Sequence, residues 1–500
     1  MAALPNPTRR EVLKAGAALG ATALTSGSLS SVSFARSKAA KCQSRLRDIE
    51  HFVILMQENR SFDSYFGTYP NVRGFDDKSN RDAFAQPGYS GPGAVDGHLL
   101  PFHLDGTQPI GQCVTDPTHS WIPQHQSRNG GRNNMFFSSH APAEYDGAAA
   151  PTVMGYFRRA DIPFYWGLAD AFTLCESYHC SVLGPTEPNR LYSISAWLDP
   201  AGVAGGPSVK TNFDRNGLKG DFTWLTYPEQ LSANGVSWKA YTGPGGQPDS
   251  PFPAFVQYRS DPGLNALGIK PVYPDDFAAD MAAGALPAVS WIHLPFNESE
   301  HPTFPPARGE HGVNEVLQMI FQQPKIWRKT AVIINFDENG GFFDHIAPPV
   351  APRGTKGEYI TAPNVEGGPD GVGGIAGPIG LGFRTPTLIV SPWSRGGLIA
   401  SETFDHTSVL QLLEARFGVE VPNLTSWRRK ATGDLTSAFN FAAKPNFSIP
   451  NLPATSDSPP SATGGACDLF PPPPYPVPPK TAIPHQAKAK GKAKRPSGVC

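Results

Sequence analysis

Two acidic, oxygen-rich segments each follow directly on an apolar run. His51-Phe52-Val53-Ile54-Leu55-Met56 leads into Gln57-Glu58-Asn59-Arg60, and Ala331-Val332-Ile333-Ile334-Asn335-Phe336 leads into Asp337-Glu338-Asn339-Gly340-Gly341. Carboxylate and amide oxygens suit a hard divalent cation such as Ca²⁺, Mg²⁺ or Mn²⁺. Zinc stays open but less favoured, because no cysteine or HxxxH pair accompanies the acids. A third segment, Gly184-Pro185-Thr186-Glu187-Pro188-Asn189-Arg190, sets a hydroxyl between two prolines and just ahead of the helix-like run 191–197. At a helix start, unpaired N–H groups and the positive end of the dipole favour a bound phosphoryl group. A threonine alcohol attacks such a group only when a base or a metal lowers its pKa. The same place also suits a plain N-cap, and each acidic pair can equally form a solvated turn, so the segments taken singly leave both readings open.

The elements that must position these groups are legible from periodicity. Apolar runs of this length read as strands buried on both faces, and charged residues at their carboxyl ends lie at the rim where open α/β sheets bind ligands. Residues 287–292 and 385–391 read as further strands, and 312–321 and 408–417 as helices, the second ended by Gly418. The alternation predicts an α/β fold, a mainly parallel sheet sandwiched by helices. Residues 75–150 and 200–275, rich in Gly, Pro and Asn, read as loop insertions that cap the sheet edge.

The chain has 500 residues, 39% hydrophobic and 17% charged, enough to bury a large core in one elaborated domain or two smaller ones. A formal net charge of -1 argues against nucleic acid as a partner. Residues 1–35 resemble a twin-arginine export signal: Thr8-Arg9-Arg10-Glu11-Val12-Leu13-Lys14, a mild apolar stretch, then Ser33-Phe34-Ala35 as a cleavage site. That implies handling by the twin-arginine translocation machinery and a periplasmic, cell-surface or secreted protein. Nothing else has the length of apolar sequence that a membrane span requires. Six cysteines fit an oxidising destination; Cys175 and Cys180 are close enough to close a small loop, and a packing or disulfide role suits Cys175 better than nucleophilic chemistry, since no basic partner adjoins it. Residues 36–445 form the expected catalytic domain, and 446–500 a Pro-rich then Lys-rich tail with too little apolar surface to order itself. Its lysines, Lys488 to Arg495, can attract an anionic membrane surface weakly or simply face solvent.

Taken together, the motifs resemble a known family. Gln57-Glu58-Asn59-Arg60-Ser61-Phe62-Asp63, Gly184-Pro185-Thr186-x-Pro188-Asn189-Arg190, Ser299-Glu300-His301-Pro302, Asp337-Glu338-Asn339-Gly340-Gly341 and Asp405-His406-Thr407-Ser408 are similar, in order, to the bacterial phosphoesterases that include non-haemolytic phospholipase C and acid phosphatase. The resemblance implies an alkaline-phosphatase-like fold, a divalent metal and a covalent phosphoryl-enzyme. By position it implies Glu58, Asn59, Thr186, Asp337 and Glu338 as metal ligands and Thr186 as nucleophile. His119, in Asp116-Pro117-Thr118-His119-Ser120-Trp121, and His301 would line the phosphate pocket and protonate the leaving group. Asn189, Arg60 and His406 fall to substrate binding, although Arg60 can instead anchor its own loop, and His345 and His406 can be braces behind the ligands. The implied reaction is hydrolysis of a phosphatidylcholine-type lipid to diacylglycerol and a phosphorylated head group through a phosphothreonine; a phosphatase acting on small phosphomonoesters and a non-catalytic exported binding protein are the alternatives. Trp121, Phe136, Phe137, Tyr156, Tyr165 and Trp166 are candidate walls for a quaternary amine, or core. Glu187 can select a cationic head group or merely face solvent.

Overall fold

The apolar runs and their partners build one sheet of seven strands: β1 (His51–Gln57), β2 (Thr173–Cys175), β3 (Trp238–Thr242), β4 (Val289–His293), β5 (Thr330–Phe336), β6 (Thr387–Val390) and β7 (Leu398–Ala400). Their order is β7-β2-β6-β5-β1-β4-β3, with β6 alone antiparallel to its neighbours. The computed structural model describes residues 46–106, 109–142, 147–210, 220–244, 250–302, 304–370, 375–457, 478–480 and 482–496. The export signal expected in residues 1–35 lies outside them.

Strands β1 and β5 are central because both faces are apolar. Val53, Leu55, Val332 and Ile334 enter one core, whereas Phe52, Ile54, Ala331 and Ile333 enter the other, the alternation that a pleated strand imposes. Five helices matter for the site: α1 (Phe62–Phe66), α2 (Trp121–Arg128), α3 (Thr186–Ser195), α4 (Pro306–Phe321) and α5 (His406–Phe417). Val313, Val316, Leu317 and Ile320 of α4 close the first core. Leu191 and Ile194 of α3, with Leu410 and Leu413 of α5, close the second. The sandwich of helices around a mainly parallel sheet is therefore the expected fold class.

Some expectations change. The stretch 200–275 is more than an edge-capping insertion: it contributes the edge strand β3, whose short Trp-Lys-Ala-Tyr-Thr run was hidden among turn residues. Cys175 and Cys180 do not pair; both are free and buried, and burial raises both thiols, so neither is a ready nucleophile. Contrary to the expected unordered tail, its described residues 482–496 lie against the body, with Ile483 and Ala493 packed on the first core. Among the described residues no helix is long and apolar enough to cross a membrane.

Two buried arginines pin the loops above the sheet. Arg384 joins Asp63 (2.9 Å) to Asp344 (3.0 Å). Arg428 joins Glu358 (2.7 Å) to Asp405 (2.7 Å), donates to the Ser181 carbonyl at 3.0 Å and stacks over Tyr192. Asp405 caps α5, so Arg428 ties that cap to the loop preceding α3. Removing one partner leaves buried carboxylates uncompensated. Arg428→Ala should cost about 3–5 kcal/mol in urea unfolding; a loss below ~1 kcal/mol would show that the bridge is dispensable.

Candidate active site

Because β1 and β5 run parallel with Gln57 opposite Phe336, Glu58 and Asp337 leave the sheet side by side. The Asp337 amide donates to the Gln57 carbonyl at 3.0 Å. The amides of Asn59 (3.2 Å) and Glu338 (2.7 Å) both donate to Asp337 Oδ1, and that of Gly340 donates to Glu338 Oε2 at 2.6 Å. Backbone N–H groups thus hold both carboxylates in place. Gly340 has φ +63°, and a Cβ there would stand 2.4 Å from the Asn59 carbonyl, so no other residue lets the two loops approach this closely. Asn59 itself sits at φ 57°, a strained left-handed conformation that asparagine tolerates best among residues with a Cβ.

That strain delivers an oxygen cluster. Asn59 Oδ1 lies 2.9 Å from Glu338 Oε1, 3.1 Å from Asp337 Oδ1 and 3.4 Å from Thr186 Oγ1. Only the threonine brings a proton. Turning the amide would let Nδ2 donate to both carboxylates and set Oδ1 3.2 Å from His301 Nε2, so the heavy atoms fit that arrangement too. In either orientation the Asp337 and Glu338 carboxylates converge on the Asn59 amide beside Thr186, and these donors fit Ca²⁺, Mg²⁺ or Mn²⁺. Thr186 is the first residue of α3, 2% exposed, with Pro185 as the cap residue, so its hydroxyl is not an N-cap.

Arg190, which stands in the Thr186 motif without an expected role, lies one turn along α3 from Thr186. Its guanidinium meets Glu58 Oε1 at 2.9 Å and Asp337 Oδ2 at 3.2 Å. The i, i+4 spacing that puts it on the same face of the helix as Thr186 is the available signal. Beside it, burial and the arginine charge hold the His293 imidazole down to about 3, so it stays neutral.

Both expected histidines reach the cluster. His119 Nδ1 pairs with the Pro117 carbonyl at 2.9 Å and His301 Nδ1 with that of Pro302, which fixes each tautomer and turns Nε2 inward. His119 Nε2 is 3.8 Å from Glu338 Oε1. Asp116, also unforeseen, lies 3.5 Å from His119 and 3.9 Å from His301. Burial lowers the His119 pKa, but the charges of Glu338 and Asp116 outweigh it and hold the ring above the ordinary imidazole range. Burial, with the Asp337 charge added, pushes Glu338 up as well. Those two shifts compete, since a protonated Glu338 gives His119 no charge to pair with; crowded buried negative charge is their common origin, and added positive charge relieves it.

Three expected substrate contacts are not brought to the cluster. Asn189 accepts from Val182 N at 2.8 Å and donates to the carbonyls of Val182, Gly184 and Pro185, so it shapes the turn that presents Thr186. Arg60 donates to the Glu300 carbonyl through Nε (3.2 Å) and Nη2 (2.9 Å) and lies over Phe342, anchoring a loop. His406 is a brace, with Nε2 donating to the Asp337 carbonyl at 2.6 Å and Nδ1 facing Tyr178 Oη at 3.1 Å. His345 braces likewise against Asp63 at 2.5 Å. Asp63, Asp344 and His345 could by spacing hold a cation, but the Arg384 guanidinium already fills that place. Of the candidate wall aromatics, Phe136, Tyr156, Tyr165 and Trp166 are core, and Trp121 is buried against His125. Phe137 packs on the core and Tyr89. Glu187 is buried beside Thr186 rather than facing solvent.

Glu300, next to His301, is held in the left-handed region at φ 70°. Its carboxylate accepts from Tyr65 Oη at 2.5 Å, from Tyr165 Oη and from Gln57 Nε2 at 3.1 Å, tying the His301 loop to the end of β1.

The model for the Phosphoesterase family matches residues 49–420. Phospholipase C B of Mycobacterium tuberculosis is 48% identical over 433 residues, 83% of this chain and 82% of its own. Phospholipase C A of the same organism is 46% identical over 487 residues, 92% of each chain. Non-hemolytic phospholipase C of Pseudomonas aeruginosa is 40% identical over 471 residues, 90% of this chain and 66% of its own. Among solved structures, the PsFucS1 sulfatase from Pseudoalteromonas sp. overlaps 77% of this chain and 72% of its own with a TM-score of 0.35 and 10% identity.

Burial raises Glu300 from 4.5 to about 7 against the pull of its hydrogen bonds from Tyr165 and Tyr65. A carboxyl raised on folding favours the folded state fully below its unfolded pKa and loses that contribution as pH climbs through the folded value. In chelator, the unfolding free energy should therefore fall by about 3 kcal/mol on this account as pH rises through that window. Glu300→Gln should lack that part of the slope in urea titrations, and equal slopes in the two proteins would remove Glu300 from the account.

Proposed function

This chain belongs to the phosphoesterase family, and on that premise we propose that it is a phospholipase C that hydrolyses phosphatidylcholine-type lipids to diacylglycerol and a phosphorylated head group. The observation that carries the reading is a buried threonine hydroxyl 3.4 Å from the Asn59 side-chain amide, which itself lies 3.1 Å from the Asp337 carboxylate and 2.9 Å from that of Glu338. A divalent cation held by Glu58, Asn59, Thr186, Asp337 and Glu338 would lower the pKa of the hydroxyl and offset charge on the phosphoryl oxygens.

The chain's own groups supply the rest. Thr186 Oγ1, its proton lost to solvent, attacks phosphorus in line, forming the P–O bond to threonine as the bond to the diacylglycerol oxygen breaks. That oxygen takes a proton from Nε2 of a doubly protonated His119 or His301 ring, and the same Nε2 then accepts a proton from the water that hydrolyses the phosphothreonine. Arg190 keeps Glu58 and Asp337 apart from each other's charge throughout. Phe296, 38% exposed and beside His301, gives the mouth an apolar edge. Glu187 favours a cationic head group. The twin-arginine signal in residues 1–35 carries the protein out of the cytoplasm.

Turnover of p-nitrophenyl-phosphorylcholine should stop in chelator and return when Mg²⁺, Mn²⁺ or Ca²⁺ is added back. Thr186→Ala should lower kcat by roughly a thousandfold or more with the fold intact, and Asp337→Asn should also need far more metal for half-maximal rate. Full activity of Thr186→Ala would sink the proposal. Preference for p-nitrophenyl phosphate over the choline ester would make the protein a phosphomonoesterase instead.

A further inference from the structure

The Lys-rich end of the chain is docked, not trailing. Ala487 N donates to the Thr68 carbonyl at 2.8 Å, and Gln486 Nε2 donates to the carbonyls of Tyr69 (2.6 Å) and Val72 (3.0 Å). Asn71 Nδ2 donates to the Gly491 carbonyl at 3.0 Å. Farther on, Ile399 N donates to the Lys494 carbonyl at 2.9 Å, so the segment extends the open edge of β7. Arg495 closes the strap with an ion pair of 2.7 Å to Glu176, a carboxylate whose side chain is only 1% exposed.

Sequence and docking together sort the side chains. The run Lys488-Ala489-Lys490-Gly491-Lys492-Ala493-Lys494 alternates cations with small residues. Ala493 turns toward the core, while Lys488, Lys490, Lys492 and Lys494 are exposed. Lys494 Nζ reaches the Gly396 carbonyl at 3.3 Å. Lys488, Lys490 and Lys492 make no ion pair among the described residues. Arg158 and Arg159 share a cleft with strap residues 483–485, and Arg395 and Lys444 share another with Lys494. The acids nearby are engaged: Asp170 pairs with Arg159 and Asp76 with His485. A chain whose net charge is -1 has thus gathered uncompensated cations along one docked strap.

We infer that this strap is a rail for the anionic surface of a lipid bilayer. Backbone hydrogen bonds hold the lysines in a row before contact, so the ordering entropy of a loose tail does not oppose binding. Lys488, Lys490 and Lys492 each add their own attraction to the negative surface, and none of the three has an ion pair to give up among the described residues. The rail binds the membrane surface itself and does not depend on which ester Thr186 attacks.

Flotation with vesicles of phosphatidylcholine alone, and with phosphatidylserine added to about a third, tests it. The full chain should bind the phosphatidylserine vesicles and leave the neutral ones free, and should be released when salt rises from about 0.1 M to about 1 M and the screening length falls from ~10 Å to ~3 Å. A K488Q/K490Q/K492Q variant should bind on the order of tenfold or more weakly, with its melting temperature and its turnover of soluble p-nitrophenyl-phosphorylcholine unchanged. Equal binding to both vesicles, no binding to either, or an unaltered triple variant would overturn the inference. Loss of turnover in Thr186→Ala bears on the catalytic reading alone, so the two can fail separately.

Discussion

Crowded negative charge at the ends of two adjacent parallel strands is the constraint on which the site depends. Glu58, Asp337 and Glu338 are all fully buried, and isolated carboxylates cannot stay ionised in such a place. Backbone amides satisfy part of Asp337 and of Glu338, and Arg190 supplies one full positive charge to Glu58 and Asp337. What remains is a pair of carboxylates around the Asn59 amide with the Thr186 hydroxyl beside it, the place where the proposed cation would add positive charge.

Keeping those groups in place takes a layer of polar braces as large as the site. His406 holds the Asp337 carbonyl, Asn189 holds the turn before Thr186, and Arg60 and Glu300 hold the loop that carries His301. Each is buried, and each is hydrogen-bonded to the element it holds. The strained backbone at Asn59 and Glu300 persists because these braces over-determine it. Precision in the ligand geometry is therefore secured from behind, by residues that never face the pocket.

Charge is segregated over the molecule as a whole. Glu58, Asp337, Asp63, Asp344, Glu358 and Asp405 are buried and paired with Arg190, Arg384 and Arg428, whereas Lys488, Lys490 and Lys492 of the strap are exposed and make no ion pair among the described residues. Near-zero net charge hides both features, since composition averages a buried anionic pocket with an exposed cationic rail.

Read alone, the amino-acid sequence determined the central strands, the three long helices behind the site and the juxtaposition of Glu58 with Asp337. Those follow from local periodicity: a long apolar run makes a buried strand, and an acid after it must emerge at the rim. It also offered the right donors, but not what they would meet. Arg60 reads identically whether it reaches a phosphate or the Glu300 carbonyl, and that carbonyl lies 240 residues away. The same holds for Asn189, His406 and the Lys-rich tail, whose low apolar content says it cannot fold alone and is silent on its docking against β7. Short edge strands such as Trp238–Thr242 escape for a related cause, since too few residues alternate to reveal a period and pairing with β4 alone makes them strands. Which polar group contacts which is decided only when the chain closes on itself, because the cost of an unpaired buried group is a property of the packed interior and not of the residue.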